Sequence, residues 1–454
     1  MIDFIPKKVL EIYTTLQSNG HEVYLVGGCI RNILMKKDVT DWDLTTKATP
    51  EEILLLFSNG FYDNSFGTVG IPIEINDQPS VVEITTFRTE HGYTNKRHPD
   101  VIRWGQTIEE DLQRRDFTCN AIAMSLNLSQ NSFDFIDPYK GTDDIKNGTL
   151  RAVGNPDERF REDALRLLRA VRFASVLDFT IEETTLEELK KNASLIKEIS
   201  GERIKTELFK ILQSDKSYEG VLLLQESGLL KEILPELLEG IGISQTRPGR
   251  HHTTDVFTHN VMSMKLCPST DPLVRFATLL HDAGKPKVES KDENGLVIFY
   301  NHEVVGARIA RNICDRLKFS KKERDKVFTL IRWHMFTVDE KITDAAVRRF
   351  IRRIGIDNVQ DMMDLRIGDR LGGGTQTAQS WRLKLFRKRI DEQLQPAPFS
   401  VNDLAIDGND IMQTLKIKPS KQVGTLLQEL FEEVDEDLSK NTKEYLLKRV
   451  KQLS

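Results

Sequence analysis

Cysteine is scarce and scattered. The four thiols, Cys29, Cys119, Cys267 and Cys314, form no C-x-x-C pair, which argues against a disulfide framework or a thiolate zinc site and fits a reducing cytoplasm. Long apolar runs are missing as well. No stretch of 18 apolar residues occurs, and the opening MIDFIPKKVLEIYTTLQ reads as an amphipathic helix without the basic start and apolar core of a signal peptide. The sequence therefore predicts a cytoplasmic chain with no membrane partner. One-sided charge is absent too: 64 Lys+Arg face 69 Asp+Glu, a formal net charge of −5. That balance argues against coating nucleic acid by bulk charge but is silent about a local basic groove. No internal repeat and no low-complexity tract is found.

What is present is length and ordinary globular composition. The 454 residues, 39% hydrophobic and 29% charged, predict roughly two to four domains. Up to about residue 150 short strand-like runs (EVYLVGG, TDWDLTT, FGTVGIPIEI, SVVEITTFR, FDFIDP) alternate with the helical stretches CIRNILMKK and PEEILLLFS, which predicts an α/β or α+β domain on a small sheet. From about 151 helical periodicity takes over, through EDALRLLRAVRFASVL, ERIKTELFKIL and GVLLLQESGLLKEILPELL. Polar, Gly- or Pro-bearing stretches at 241–255 and 393–400 divide the chain into 1–150, 151–240, 241–395 and 396–454.

Three constellations carry chemistry. In the first, the strand EVYLV ends in Gly27-Gly28, and Arg31 follows on the next helix. Glycines between a strand and a helix let backbone N–H groups approach a phosphate. Asp41 and Asp43 in TDWDLTT stand at i and i+2, so on a strand both carboxylates project from one face, roughly 7 Å apart at the backbone. Such a pair suits one or two Mg²⁺ ions with room for substrate phosphates. A tight turn and a solvated Asp-x-Asp are the ordinary explanations of either feature alone. Glu83 in SVVEITTFR is read either as a third metal carboxylate or as a cross-strand partner of Arg88.

In the second, QRRDFTCNAIAM and ERFREDALRLLRAVRFA mix Arg and Asp into apolar surroundings. Placed on one helix, Asp163 and Arg166 are i, i+3 neighbours, with Arg169 one turn further. A carboxylate beside a guanidinium offers the acceptors and donors that read a nucleobase edge, although an intrahelical salt bridge is the more usual outcome.

Taken in order, LVGGCIRN, DWD, RRDFTCNA, DPYKGTDD, EDALR and ISGERIKTEL resemble the class II tRNA nucleotidyltransferases, or CCA-adding enzymes, and their bacterial poly(A) polymerase relatives, over about residues 20–240. The resemblance implies a polymerase-beta-like nucleotidyltransferase head and an all-helical neck. It implies that Gly27, Gly28 and Arg31 contact the triphosphate, that Asp41 and Asp43 bind Mg²⁺, and that Arg115, Asp116 and Asn120 hold the nucleotide around its ribose. Asp163 and Arg166 would select CTP or ATP, with Arg169 and Arg172 nearby. The reaction implied is addition of CCA to the tRNA 3′ end without a nucleic-acid template. FRTEHGYTNKRHPDVIRWG resembles the family's flexible loop at Arg88, Glu90, Tyr93, Arg97 and Pro99. His98 stands where the family often has a second Arg, and the loop as a whole favours complete CCA addition over CC-only addition.

In the third, six of nine histidines fall between residues 251 and 334. His259, His281, Asp282, His302, His334 and Asp369 offer imidazole and carboxylate ligands for a divalent ion. Their order resembles the HD superfamily of metal-dependent phosphohydrolases. This implies an HD body at 241–395 with an unidentified divalent metal, Lys285 assisting phosphate binding, and either a phosphohydrolase activity or a tRNA-binding scaffold. Within 345–390 eleven Arg or Lys face four Asp, a local charge of +7. Arg348, Arg349, Arg352, Arg353, Arg387, Lys388 and Arg389 are therefore expected to meet tRNA phosphates along the acceptor stem. The tail 396–454 resembles the family's helical end, with Lys416, Lys418 and Lys421 near a turn. The competing expectations are a poly(A) polymerase, a CC-adding enzyme, or an HD-type hydrolase whose N-terminal half only binds RNA.

Overall fold

The computed structural model describes residues 2, 4–62, 67–75, 77–91, 101–245, 254–336, 341–375, 377–394 and 400–453. The chain forms two units, one of residues 1–238 with 316–319 and the other of residues 239–315 and 320–454. The change of unit falls between Leu238 and Glu239. Residues 151–238 share a unit with the sheet.

The first unit carries strands β1 (Val23–Val26), β2 (Trp42–Thr46), β3 (Phe61–Tyr62), β4 (Thr68–Ile75), β5 (Gln78–Thr86), β6 (Arg88–His91), β7 (Val101–Trp104), β8 (Ala123–Asn127) and β9 (Ser132–Ile136). Seven form one sheet in the order β3-β4-β5-β2-β1-β8-β9, and β6 pairs with β7 in a separate ribbon. Within the sheet β2 and β5 are parallel, with Asp43 opposite Glu83, whereas their neighbours pair antiparallel. Alternation does the sorting. Val82 and Ile84 point into the core and Glu83 points out of it.

Helices of this unit are α1 (Lys7–Ser18), α2 (Gly28–Leu34), α3 (Pro50–Leu56), α4 (Ile108–Gln113), α5 (Gly141–Asn147), α6 (Pro156–Glu162), α7 (Leu165–Leu177), α8 (Glu183–Asn192), α9 (Gly201–Gln213), α10 (Ser217–Glu226), α11 (Leu229–Ile233) and α12 (Pro235–Leu238). Local chemistry sets their starts. Thr49 with Glu52 and Thr107 with Glu110 form reciprocal capping boxes, and Pro50 takes the first helical position of α3. Gly27, at φ +74°, makes the turn from β1 into α2 in a region unfavourable to side chains. Val26, Phe87, Ile108, Leu112, Ala121, Ala123 and Val153 pack as one core behind that turn.

The second unit is mostly helical: α13 (Val256–Leu266), α14 (Pro272–Leu280), α15 (Lys285–Val288), α16 (His302–Arg316), α17 (Lys321–Trp333), α18 (Asp344–Ile354), α19 (Val359–Gly372), α20 (Trp381–Gln393), α21 (Gly408–Leu415), α22 (Lys421–Glu436) and α23 (Lys443–Leu453). The α13–α19 crossing is close because α19 presents glycines. A Cβ at Gly368 would lie 2.5 Å from the Ser263 carbonyl oxygen, and one at Gly372 would lie 2.2 Å from Ser263 Oγ. Among the described residues no helix is long and apolar enough to cross a membrane.

Candidate functional site

A cleft of about 890 Å³ opens on the first unit beside the β1–α2 turn, lined by Gly27, Gly28, Arg31, Asp41, Asp43, Glu83, Arg88, Arg115, Asp116, Asn120, Asp163, Arg166, Arg169 and Arg172. Residues far apart in sequence thus meet in one place. Asp43 and Glu83 stand side by side on β2 and β5. Asp41 is exposed and lies one residue before β2 rather than on the strand. Burial, reinforced by Asp41 and countered by Arg115, raises the Asp43 carboxyl above its ordinary range. Asp41, Asp43 and Glu83 line this cleft with hard oxygen donors of the kind a divalent cation such as Mg²⁺ takes, but among the described residues the groups compact enough to enclose one ion lie in the second unit.

The arginines are held by carboxylates. Arg169 Nε donates to Asp116 Oδ2 at 2.7 Å. Burial opposes the Asp116 charge, but Arg169 outweighs it and holds the carboxyl down at about 2. Asn120 Nδ2 donates to Asp116 at 3.2 Å, while its Oδ1 accepts from Arg31 Nη1 at 2.6 Å. Arg172 pairs with buried Glu207 at 2.9 Å, and burial together with neighbouring Arg169 lowers it to about 10. Phe173 anchors three guanidiniums at once: Arg172 lies 3.8 Å from the ring centroid, Arg169 5.2 Å and Arg31 5.4 Å. An aromatic face attracts these cations without neutralising them.

The expectation that Asp163 and Arg166 share one helix is corrected. Asp163 is extended, at φ −136° and ψ 104°, in the break between α6 and α7. Its Oδ1 accepts from Leu165 N at 3.0 Å, and its carbonyl accepts from Arg166 N at 2.9 Å. An extended residue cannot continue the helix before it, so α6 ends at Asp163 and α7 starts after Ala164 without a side-chain cap. Both side chains still line the cleft. The partner of Asp163 is Arg203 of α9, at 2.9 Å. Sequence reasoning missed Arg203, Glu207 and Phe173. The first two lie in ISGERIKTEL, where their spacing on one helix face was the available signal, and Phe173 had none. Tyr93, Arg97, His98 and Pro99 and the Glu90 side chain lie outside the described residues.

The second unit gathers all six predicted ligands. His259 Nε2 lies 3.2 Å from His281 Nε2, 3.4 Å from Asp282 Oδ2 and 3.3 Å from Asp369 Oδ1. Asp282 Oδ1 lies 3.3 Å from His302 Nε2 and 3.8 Å from His334 Nε2. Two overlapping groups, His259–His281–Asp282 and Asp282–His302–His334, are each compact enough for one ion. Helix ends supply most of these ligands: His281 and Asp282 follow α14, His302 opens α16 and His334 follows α17. Nδ1 of His281, His302 and His334 each meets a backbone carbonyl at 2.7 Å, of Thr278, Phe299 and Ile331 respectively. A donating Nδ1 leaves the Nε2 lone pair aimed at the cluster, which is how a metal-ligating imidazole is oriented. Burial opposes charge on His281, yet Asp282 and Asp369 raise it to about 10, while burial and His281 push His334 down to about 3. Crowded imidazoles and carboxylates with inward lone pairs fit a divalent ion. Lys285 contacts Asp282 at 2.5 Å, and Arg366 contacts Asp369 at 2.7 Å, beside a cavity of about 410 Å³.

The basic stretch needs correction. Arg348 is 8% exposed, with Nε 2.8 Å from Asp435 Oδ1, and Arg352 Nη2 reaches the same carboxylate at 2.5 Å. These two arginines tie α18 to α22, Arg348 buried and Arg352 with 27% of its side chain still exposed. Arg389 donates to the Ile342 carbonyl and faces Asp344 at 3.6 Å. Arg353 is exposed, Arg349 is 42% and Lys388 is 74% exposed, and Arg387 donates to Gln360.

Carboxylates on the central strands β2 and β5 of a mixed sheet, facing the arginines of α7 across one cleft, are the arrangement of a nucleotidyltransferase. Comparison with known proteins narrows the class. Residues 23–151 match the poly A polymerase head domain, 178–240 the probable RNA and SrmB-binding site of polymerase A, and 287–450 the putative domain 2 of tRNA nucleotidyltransferase. The A-adding tRNA nucleotidyltransferase of Deinococcus radiodurans is 31% identical over 423 residues, 90% of each chain. The CCA-adding enzyme of Lactobacillus helveticus is 44% identical over 205 residues, 45% of this chain and 49% of that one, so the match spans about half the length of that curated relative. In fold the chain is similar to the Bacillus stearothermophilus CCA-adding enzyme in complex with CTP, with a TM-score of 0.70 at 24% identity over 98% of this chain and 97% of the other. The chain belongs to the class II tRNA nucleotidyltransferase family.

Proposed function

We propose that this chain adds the CCA sequence to the 3′ end of tRNA from CTP and ATP, using the cleft of the first unit. The observation that carries the reading is the convergence of Asp41, Asp43 and Glu83 with Arg31, Arg115, Arg169 and Arg172 on one cavity. Asp41, Asp43 and Glu83 would hold Mg²⁺, which supplies charge neutralisation at the triphosphate and activation of the attacking hydroxyl. Gly27, Gly28 and Arg31 bind phosphate oxygens, Arg115, Asp116 and Asn120 hold the ribose, and Asp163 with Arg166 reads the base edge. Fixed positive charge and positioning are what nucleotidyl transfer asks of a protein. In this reading residues 1–150 are the head, 151–240 the neck, 241–395 an HD body and 396–454 the tail. The body's His–Asp cluster holds a divalent ion for an accessory phosphohydrolase, and Arg349, Arg353, Arg387 and Lys388 meet tRNA phosphate.

A second reading, addition of the terminal A alone, is favoured by the relative matched along 90% of both chains, an A-adding enzyme. Labelled CTP and ATP offered to tRNA ending at the discriminator base, after one C and after two separate the two. Extension of all three substrates to CCA is expected. Labelling of the CC-ended tRNA alone, by ATP, establishes the second reading, and no labelling of any removes both. Asp41→Ala is expected to abolish incorporation, and an active variant overturns the metal assignment.

A further inference from the structure

We propose that Asp111, a residue outside the metal and nucleotide ligands, is a positioning residue for nucleotide binding that holds Arg115 in place beside Asp43. Asp111 lies on α4 and is fully buried. Its Oδ1 accepts from Arg114 Nε at 3.0 Å and Nη2 at 2.7 Å, and its Oδ2 accepts from Arg115 Nη2 at 3.0 Å. Salt bridges at i, i+3 and i, i+4 are ordinary on a wet helix face and worth little there. This one is different in kind, because the carboxylate has no solvent exposure and its partners are only 16% and 17% exposed. Both arginines reach the wall of the cleft.

Arg115 is anchored through Nη2 on Asp111, and its Nη1 faces the Gly27 turn. Its Nη1 lies 3.5 Å from the Asn120 carbonyl oxygen and 3.0 Å from where a Cβ on Gly27 would sit, a point itself 3.4 Å from Asp43 Oδ2. Arg115 acts on Asp43 through charge and not through an ion pair, and such a guanidinium has two possible uses. Held back by Asp111, it presents charge to an incoming nucleotide. Released, it closes on Asp43 and cancels the negative charge that a divalent cation needs. Asparagine at 111 keeps the shape but loses the charge and one of the two acceptor oxygens.

The role rests on the nucleotide-binding reading of the cleft, and a double-mutant cycle separates the two. CTP and tRNA affinities are measured separately by calorimetry, in Mg²⁺ and in EDTA, for wild type, Asp111→Asn, Arg115→Ala and the double variant. Asp111→Asn is expected to weaken CTP about tenfold, more in Mg²⁺ than in EDTA, with tRNA affinity unchanged. In the Arg115→Ala background the same substitution is expected to change CTP affinity by less than about twofold. Equal losses in both backgrounds, or unchanged CTP affinity in Asp111→Asn while Arg115→Ala loses it, overturn the positioning role. If Arg115→Ala itself binds CTP as wild type does, the cleft reading fails and the positioning role falls with it. Should Asp111→Asn not fold, Asp111→Asn with Arg114→Gln removes the buried pair together and is expected to show the same selective loss of CTP binding; intact CTP binding there overturns the role.

Discussion

Asp163 accepts a hydrogen bond from Arg203 at 2.9 Å, while Arg166, three residues further along, donates to Glu162 and to the carbonyls of Arg159 and Arg114. The two residues expected to read a base are thus fixed by different neighbours, and one of them depends on a helix forty positions downstream. Arg203→Ala is expected to leave the tRNA KM unchanged, raise the CTP and ATP KM about tenfold and increase misincorporation of UTP and GTP. Sequencing of the product 3′ ends reads this, and unchanged fidelity would show that Arg203 does not support Asp163.

Phe173 gathers Arg31, Arg169 and Arg172. Leucine keeps most of the apolar volume and removes the ring face, and each cation–π attraction that disappears with it is worth about 0.5–1 kcal/mol. For Phe173→Leu we expect nucleotide affinity to fall roughly five- to tenfold with a change in melting temperature of only a few degrees. A large drop in stability with normal affinity would make Phe173 a packing residue alone.

Arg348 and Arg352 meet on Asp435. Arg348→Ala leaves Asp435 paired with Arg352 alone, and loss of a charge-assisted bond in a buried network costs about 1.5–3 kcal/mol. Arg348→Ala is expected to unfold the second unit at lower denaturant without altering the salt dependence of tRNA binding. Lys388→Ala with Arg353→Ala is expected to do the reverse, lowering the slope of log affinity against log salt by about 1–2 at unchanged stability. Identical behaviour of the two sets would refute the division between buried and RNA-facing arginines.

The His–Asp cluster predicts bound metal. Purified protein is expected to carry a divalent ion by elemental analysis, and His281→Ala to lose it while still extending tRNA. Gly368→Ala tests the crossing that brings Asp369 to His259, since its Cβ would sit 2.5 Å from a backbone oxygen. Reduced metal content with lowered stability is expected, and a fully loaded, stable variant would show that the close crossing is dispensable.

Which residues share a place was legible where it depends on residue type and order. Gly-Gly, D-x-D and the six His and Asp positions need no knowledge of long-range packing, and the structure brings each set together. Helical periodicity likewise marked α7 and α9. The break at Asp163 was invisible because a run of helix-forming residues continues through it, and only the extended backbone of Asp163 interrupts the helix. Net charge in 345–390 misled for a related reason. A count of arginines cannot tell which of them has a buried carboxylate nearly ninety positions away, as Arg348 has in Asp435. Pairings set by tertiary contact, Arg203 with Asp163 and Arg172 with Glu207, escape any local pattern.

The parallel pairing of β2 with β5 divides this region by its tolerance of insertions and deletions. The chain travels from Thr46 through α3, β3 and β4 before returning, so loops along that route can change length while Asp43 and Glu83 stay opposed. Loss or gain of a single residue inside either strand turns every later side chain to the opposite face. Natural length variation among relatives should therefore collect around α3 and β3 and be nearly absent from 42–46 and 82–86.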